Sequence, residues 1–217
     1  MIITIDGPAG SGKSTAARKL AKRLKFHFLD TGAMYRAVAL TCLQDNVDPS
    51  NKLAAADAAR RTLITYDGDA IIVNGHEVTE AIRTPEVTTA ASIVAANPDV
   101  RAQLVSIQQI AAEGLDIVCE GRDQGTVVFR NAECKFFLTA SPESRAVRRQ
   151  RELAARGTEL DLDEVTAQLR ERDARDASRD IAPMVPAVDA VQIDTSDMNI
   201  DEVLDQLEAL VRAKLRK

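Results

Sequence analysis

An eight-residue stretch near the start of the chain reads Gly7-Pro8-Ala9-Gly10-Ser11-Gly12-Lys13-Ser14. It fits the pattern G-x-x-x-x-G-K-[ST], which has meaning only between a strand and a helix. Both are indicated here, because the apolar run Ile2–Ile5 precedes the stretch and Lys13–Leu24 follows it with its apolar residues on one helical face. The stretch therefore predicts a strand, a phosphate-binding turn (a P-loop) and a helix.

The residue types in this turn suit a nucleoside triphosphate. Glycines let backbone N–H groups converge on phosphate oxygens, and the N-terminal end of the helix adds positive potential. In such a turn Lys13 reaches the β- and γ-phosphates, and Ser14 offers its hydroxyl to Mg²⁺ as a metal ligand. The residues predicted to bind ATP are Gly7, Pro8, Ala9, Gly10, Ser11, Gly12, Lys13, Ser14 and Thr15.

Two other nucleotide-binding classes are disfavoured by the sequence. The glycines at 7, 10 and 12 have the wrong spacing for the dinucleotide pattern G-x-G-x-x-G, which argues against a nicotinamide enzyme. The guanine signature N-K-x-D of GTPases is not present either.

Composition narrows the class of protein further. The chain has 217 residues, a net charge of −5, 3% aromatic residues and no Trp, so a general nucleic-acid binder is disfavoured and the core should be aliphatic. The three cysteines form no C-x-x-C pair, which predicts small buried side chains in a reducing compartment. The N-terminal apolar run is too short for a signal peptide, and no stretch is long enough for a membrane span. We expect a cytoplasmic monomer.

Strand and helix patterns alternate along the chain, which predicts an α/β fold with a doubly wound parallel sheet. The predicted helices with the clearest apolar stripes are Lys13–Leu24, Pro98–Ala112 and Ile200–Leu215. Most of the predicted core strands are apolar throughout, as suits strands covered on both faces. They are Ile2–Ile5, Phe26–Leu29, Ile117–Cys119, Lys135–Leu138 and Ala190–Ile193.

Two segments depart from this alternation of strands and helices. Residues 63–84 predict a small antiparallel insert, because Asp67-Gly68-Asp69 and Asn74-Gly75 are hairpin turns between apolar runs. Residues 145–179 are highly charged and predict two helical pieces separated by Gly157, the first of them capped by Ser141.

Four further motifs lie along the chain. They are Leu29-Asp30-Thr31-Gly32-Ala33-Met34-Tyr35-Arg36, Glu120-Gly121-Arg122-Asp123, Glu171-Arg172-Asp173-Ala174-Arg175-Asp176 with Arg179, and Ala182-Pro183-Met184-Val185-Pro186-Ala187. With these motifs, the chain resembles the bacterial cytidylate kinases over nearly its whole length. Two positions depart from the family pattern: Glu120 stands where Asp is common, and Gln124 where an apolar residue is usual.

The resemblance implies a single nucleoside monophosphate kinase domain over residues 1–217. Its three-layer P-loop fold has five parallel strands in the order 2-3-1-4-5, with the antiparallel insert enlarging a monophosphate-binding region at 63–95 and a helical lid at 148–170. The implied reaction transfers the γ-phosphoryl group of ATP, with Mg²⁺, to CMP or dCMP.

The resemblance also implies roles for individual residues. Arg36 and Arg122 hold the acceptor phosphate, and Arg172 with Asp176 contacts the sugar. Lys13, Arg122 and Arg179 are the catalytic residues, near the transferring phosphoryl group. The full set implied to bind substrate is Thr31, Arg36, Ser92, Arg101, Arg122, Asp123, Arg172, Asp176 and Arg179.

General chemistry supports part of this assignment. Arg122 and Asp123 follow a strand directly, where parallel α/β sheets place ligands. A carboxylate beside a guanidinium, Asp123 with Arg101, answers the amino donor and ring acceptor of cytosine, whereas uracil would leave the carboxylate unpaired. Arg172, Asp176 and Arg179 have i, i+4 and i+7 spacing, which predicts one face of a helix.

Several alternatives stay open at this stage. Most of the charged segment, including Arg145, Arg148 and Arg151, could be a solvated face of ion pairs. Asp30 could cap the following helix or lie near the reacting phosphates. A uridylate or shikimate kinase is the nearest enzymatic rival, and a nucleotide-binding regulatory or nucleic-acid-handling protein is the rival from another class.

Overall fold

The computed structural model describes residues 1–68 and 70–215. Within it the chain forms two compact units. The first contains Met1–Leu29 and the described residues from Ala112 onward, and the second contains Asp30–Ala111.

The central sheet has five strands, and a second sheet has three. In chain order the strands are β1 (Ile2–Asp6), β2 (His27–Asp30), β3 (Ile64–Asp67), β4 (Ala70–Val73), β5 (His76–Glu77), β6 (Ile117–Gly121), β7 (Cys134–Thr139) and β8 (Val191–Asp194). The larger sheet has the order β2-β6-β1-β7-β8, with β1 parallel to both β6 and β7 and β7 parallel to β8. The labels differ from the predicted 2-3-1-4-5 because the insert strands are counted here. Numbered among themselves, the five strands of this sheet have the predicted order, and the predicted α/β class is confirmed.

The helices predicted from apolar stripes are confirmed at their predicted bounds. In chain order the helices are α1 (Lys13–Leu24), α2 (Thr31–Gln44), α3 (Lys52–Arg61), α4 (Pro85–Val94), α5 (Pro98–Ala112), α6 (Pro142–Ala154), α7 (Leu162–Ala177) and α8 (Ile200–Leu215). A short 3-10 helix spans Ala81–Arg83, and a single π-helical turn spans Gln124–Val128.

Helix α2 was not predicted from periodicity, and its burial explains why. Ten of its residues, from Thr31 to Cys42, are buried, and they lie on every side of the helix. A helix that is covered all round has no polar face, so its sequence shows no 3.6-residue alternation.

The core of the first unit is mainly aliphatic, as the composition predicts, and also contains the ring of Phe136. Side chains of β1, α1 and α8 meet in it, and Ile3, Leu20 and Leu207 have no exposed surface. The cysteines Cys42, Cys119 and Cys134 are all free and buried, which confirms that they pack as small side chains.

The insert in the second unit is antiparallel, as predicted. Strand β4 pairs with β3 and with β5 in antiparallel register. The turn between β4 and β5 has positive φ at both Asn74 (51°) and Gly75 (84°), the conformation for which Asn-Gly is selected in hairpins. Asp69, which belongs to the other predicted turn, lies outside the described residues.

The charged segment forms the two predicted helices, α6 and α7. Ser141 caps α6, since its hydroxyl accepts a hydrogen bond from Ser144 N at 3.1 Å. Gly157 lies between the two helices with φ of 76°, which favours glycine. Apolar side chains of the two helices pack with Ala9 in a small cluster, so part of this segment is packed rather than solvated. No helix within 1–68 and 70–215 has the length and apolar character that a bilayer span requires.

Replacement of Leu207 by Ala should destabilise the protein strongly. Leu207 is fully buried in the core of the first unit, so Leu207→Ala should lower the free energy of unfolding by about 2–5 kcal/mol. Leu215, on the same helix, is 57% exposed and provides a matched control: Leu215→Ala should change stability by less than about 0.5 kcal/mol. Urea denaturation of both variants measures the difference, and equal effects would contradict this description of the core.

Candidate functional site

The phosphate turn lies between β1 and α1 in a conformation that depends on glycine. Gly7 has φ of 148°, and a Cβ placed there would lie 2.1 Å from the backbone oxygen of Leu138 on β7. Gly12 occupies the N-cap position of α1 with φ of 83° and has no side chain to accept the N–H groups of the first helical turn. These N–H groups are therefore available to anionic oxygens, as the sequence pattern predicts.

Lys13 is the buried cation of this turn. Lys13 is only 6% exposed, and its ammonium group donates a hydrogen bond to Pro8 O at 3.2 Å. Burial, together with repulsion from Arg122, lowers the pKa of Lys13 to about 7, although the nearby Glu120 partly offsets the shift. The lysine is thus held where its positive charge is costly until an anion arrives.

A hydroxyl and a carboxylate meet beside Lys13. Ser14 Oγ donates a hydrogen bond to Glu120 Oε1 at 2.8 Å, and Glu120 lies buried near the carboxyl end of β6. Oxygen donors of these two kinds are the ligands that Mg²⁺ accepts in phosphate-binding sites, where it takes one or two carboxylates in addition to substrate phosphates. Ser14 and Glu120 therefore fit a magnesium ion. No cluster of three or more His, Cys, Asp or Glu that could hold a metal occurs among residues 1–68 and 70–215.

Three arginines surround one buried carboxylate, that of Asp176. Arg122 Nε donates to Asp176 Oδ2 at 2.9 Å, Arg179 donates to Asp176 Oδ1, and Arg172 Nε lies 4.0 Å from Oδ2. The Asp176 side chain is only 2% exposed. Burial alone would raise the pKa of Asp176, but the guanidinium groups of Arg122, Arg179 and Arg172 outweigh burial and lower it below its usual value.

The placement of Arg179 on the helix was wrong. Helix α7 ends at Ala177, so Arg179 lies beyond it, although Arg172 and Asp176 are on the helix as predicted. The chain turns after the helix, and the short distance from Arg179 to Asp176 returns its guanidinium group to the cluster. An ion pair, and not helical periodicity, brings Arg179 to this place.

A buried carboxylate positions the turn that contains Asp123. Asp6 Oδ1 accepts from Gln124 N at 2.9 Å and Asp6 Oδ2 accepts from Gly125 N at 2.8 Å. Burial raises the pKa of Asp6 to about 7, although these two backbone amides oppose the shift. Asp123 is 3% exposed at the start of the π-helical turn, and Gln124 is buried beside it, so the polar side chain at 124 is accommodated in the packing.

In the second unit, the Asp30 carboxylate binds another arginine, Arg36. Asp30 accepts a hydrogen bond from Ala33 N at 2.8 Å and thereby caps α2, which confirms the capping alternative. Arg36 donates to both carboxylate oxygens of Asp30, at 3.2 and 3.1 Å, and Thr31 is buried at the start of the same helix.

Arg101 and Ser92 lie among buried groups of the second unit. The Arg101 guanidinium carbon lies 5.7 Å from the centroid of the Tyr35 ring, a cation–π distance, and Arg101 Nη1 donates to Ala95 O at 3.3 Å. Ser92 Oγ donates to Thr89 O at 3.1 Å on α4.

One family of known proteins matches this chain over nearly its whole length. A family model described as cytidylate kinase matches residues 3–213. The chain belongs to the cytidylate kinase family. It is 47% identical over 208 residues to the cytidylate kinase of Desulforamulus reducens, covering 94% of each chain. It is also 47% identical over 220 residues to that of Pelotomaculum thermopropionicum, covering 99% of this chain and 97% of the relative. Members of this family are phosphotransferases, and ATP is the phosphoryl donor that a kinase family implies.

Solved structures resemble the chain in fold alone. An uncharacterised protein from Eubacterium ventriosum aligns with a TM-score of 0.55 at 12% identity, covering 98% of both chains. The shikimate kinase from Bacteroides thetaiotaomicron aligns with a TM-score of 0.50 at 13% identity, also covering 98% of both chains.

For this cytidylate kinase family member, the structure distributes the predicted site residues between the units. The first unit brings together the P-loop, Arg122, Arg172, Asp176 and Arg179. The second contains Thr31, Arg36, Ser92 and Arg101. Their individual roles stay predictions.

Two buried carboxylates, Asp6 and Glu120, were not predicted as site residues, although Glu120 lies in one of the family motifs. The available signal was that each is an acidic residue at the end of an apolar strand, where polar side chains at the carboxyl edge of a sheet are functional candidates.

In this family member, binding of ATP should take up a proton at slightly alkaline pH. Lys13 has a pKa of about 7 without ligand, so it is mostly neutral at about pH 8, and bound phosphates should restore its charge. ATP affinity should accordingly fall as pH rises above about 7. Calorimetric titration in two buffers of different ionisation enthalpy measures the uptake, expected to approach one proton. Lys13→Met is the control, and an equal uptake in that variant would assign the proton elsewhere.

Proposed function

We propose that this chain transfers the γ-phosphoryl group of ATP directly to CMP and dCMP, forming CDP and dCDP. The observation that supports this proposal is the pairing of two cationic features in the first unit. One is the P-loop with its buried Lys13, and the other is the arginine cluster around Asp176. Membership of the cytidylate kinase family indicates that the acceptor is a cytidine monophosphate.

The donor half of the site is the P-loop. Residues 7–15 bind the triphosphate, chiefly through the backbone N–H groups at the N-terminus of α1, and Lys13 reaches the β- and γ-phosphates. A Lys13 ammonium that is desolvated before binding interacts with phosphate more strongly than it would in water.

Ser14 and Glu120 would hold Mg²⁺. Their contact shows that a hydroxyl and a carboxylate already converge beside Lys13. When bound, the ion would neutralise charge on the donor phosphates.

Arginines stabilise the transferring group. Arg122 and Arg179 neutralise charge that spreads over the equatorial oxygens, while Arg172 and Asp176 contact the acceptor sugar. Asp176 also keeps these guanidinium groups together before substrate arrives, which lowers the reorganisation needed at the moment of transfer. No covalent enzyme intermediate is needed, and no general base, because the acceptor phosphate is largely ionised near pH 7.

Acceptor recognition uses the substrate-binding residues predicted from the sequence. Arg36 and Arg122 hold the phosphate, with Thr31 contributing nearby, and Ser92, Arg101 and Asp123 recognise cytosine. Residues 63–95 form the monophosphate-binding insert, residues 148–170 form a lid over ATP that excludes water, and residues 1–217 act as one nucleoside monophosphate kinase domain. The protein acts as a cytoplasmic monomer on small-molecule substrates, without nucleic acid.

Measurement of ADP release across a panel of acceptors tests this function. CMP and dCMP should support the fastest turnover, and UMP, AMP and GMP should be much slower, since uracil offers no amino group to the Asp123 carboxylate. Faster transfer to UMP or AMP would contradict the cytosine assignment. Tight RNA binding with a steep dependence on salt, and no ADP with any acceptor, would favour the nucleic-acid-handling alternative.

Removal of the Lys13 ammonium should abolish most of the activity. Lys13→Ala should lower kcat with CMP by about a hundredfold or more, because a buried charge aimed at the transferring phosphates is lost. Lys19 lies exposed on the same helix and serves as the control, with Lys19→Ala expected to keep wild-type turnover. Near-normal turnover of Lys13→Ala would refute the donor site.

A further inference from the structure

The backbone of Ala9, in the phosphate turn, is held on both sides by one ion pair outside the predicted site. Arg145 Nη1 donates to Ala9 O at 3.2 Å, and Ala9 N donates to Asp173 Oδ1 at 3.3 Å. Arg145 and Asp173 also form a direct hydrogen-bonded ion pair, on α6 and α7 respectively. The three groups form a closed ring of contacts.

The side chain of Ala9 is held by apolar packing, in addition to the hydrogen bonds of its backbone. Ala9 is 5% exposed and packs into the small apolar cluster of the charged segment, which contains Ala146, Leu153, Val165 and Leu169. The next residue, Gly10, lies close to helix α6, since a Cβ at Gly10 would lie 2.9 Å from Arg145 O. The turn and the helix pair α6–α7 therefore pack as one body at Ala9 and Gly10.

Asp173 connects this contact to the arginine cluster. It follows Arg172 directly and lies three residues before Asp176 on α7. The residue that anchors the helix to the P-loop is thus within one helical turn of the carboxylate that holds Arg122 and Arg179. A shift of the P-loop relative to α7 would displace the donor phosphates from the arginines.

The pair has a specific electrostatic consequence. The Arg145 and Asp173 side chains are only 10% and 17% exposed, so water screens their charges weakly. Together they are neutral beside a turn that binds a polyanion. Alone, Asp173 would repel the phosphates and Arg145 would attract them.

We propose that Arg145 and Asp173 act as a positioning pair, which fixes the P-loop against α7 and cancels the negative charge of its own anchoring carboxylate. This inference rests on the proposed function for the identity of the transfer reaction. Variants of the pair should affect ATP affinity and kcat differently. ATP affinity should depend on the net charge of the pair, whereas kcat should fall whenever the ion pair is broken.

Three variants test this difference. Arg145→Gln should weaken binding of a fluorescent ATP analogue about tenfold, because an unpaired carboxylate then faces the phosphates. Asp173→Asn should lower that Kd several-fold, because an unpaired guanidinium then attracts the phosphates, and should lower kcat about tenfold, because the turn loses its anchor. The double variant should recover the affinity lost in Arg145→Gln while kcat stays low, a non-additive result expected of a coupled pair.

Controls separate positioning from folding. Arg145→Lys keeps the charge without the planar fork, so it should retain ATP affinity and recover only part of kcat. Arg23 and Asp205 form an ion pair between α1 and α8 at 2.5 Å, and Arg23→Gln and Asp205→Asn should change neither quantity. Far-UV circular dichroism confirms that each variant is folded.

Two results would overturn the positioning pair. One is Kd and kcat within about twofold of wild type in folded Arg145→Gln and Asp173→Asn. The other is a double variant that binds the analogue no better than Arg145→Gln does. The binding measurement uses no acceptor, so it tests the pair even if CMP proves not to be the substrate, an outcome that wild-type turnover with CMP reveals independently.

Discussion

The buried carboxylate of Asp176 is the interaction on which the site depends. It allows three guanidinium groups to lie close together in a poorly solvated place, within range of a desolvated lysine. Without a compensating anion, the mutual repulsion of these cations would separate them or force them into water. One carboxylate offsets only part of the charge of three guanidinium groups, so the cluster keeps a net positive charge, which in the proposed function attracts phosphate oxygens. The site is thus stable without ligand and still strongly attractive to a polyanion.

The same arrangement recurs at the carboxyl edge of the central sheet. Asp6 and Glu120 lie at the ends of the paired strands β1 and β6, and each accepts hydrogen bonds that fix a neighbouring functional group. Asp6 fixes the backbone that presents Asp123, and Glu120 holds the Ser14 hydroxyl. In the second unit Asp30 does the same for Arg36 while capping α2. The cations and the hydroxyl of the candidate site are therefore positioned by buried anions, which are themselves satisfied by backbone amides or by the groups they hold.

Much of the fold follows from local pattern, and the exceptions have physical causes. Strands that are apolar throughout and helices with one apolar stripe were predicted close to their observed bounds, because burial on two faces or on one face leaves a direct trace in sequence. Helix α2 left no such trace, since it is buried on all sides. Arg179 was assigned to a helix by spacing alone, yet the helix ends two residues earlier and an ion pair with Asp176 sets its position.

The sequence by itself determined the P-loop, the order of elements, the aliphatic core and the family, because each of these is written in residue type and local spacing. Only the tertiary structure decided which anion holds which cation. The contact of Ser14 with Glu120, the clamp of Asp6 on the turn after β6, and the ring of Arg145, Asp173 and Ala9 join residues more than 100 positions apart in sequence. No local periodicity encodes such pairs, since they arise when strand order and helix packing bring distant segments together. The phosphate turn was thus identifiable from eight residues, but its anchorage to α7 required the folded chain.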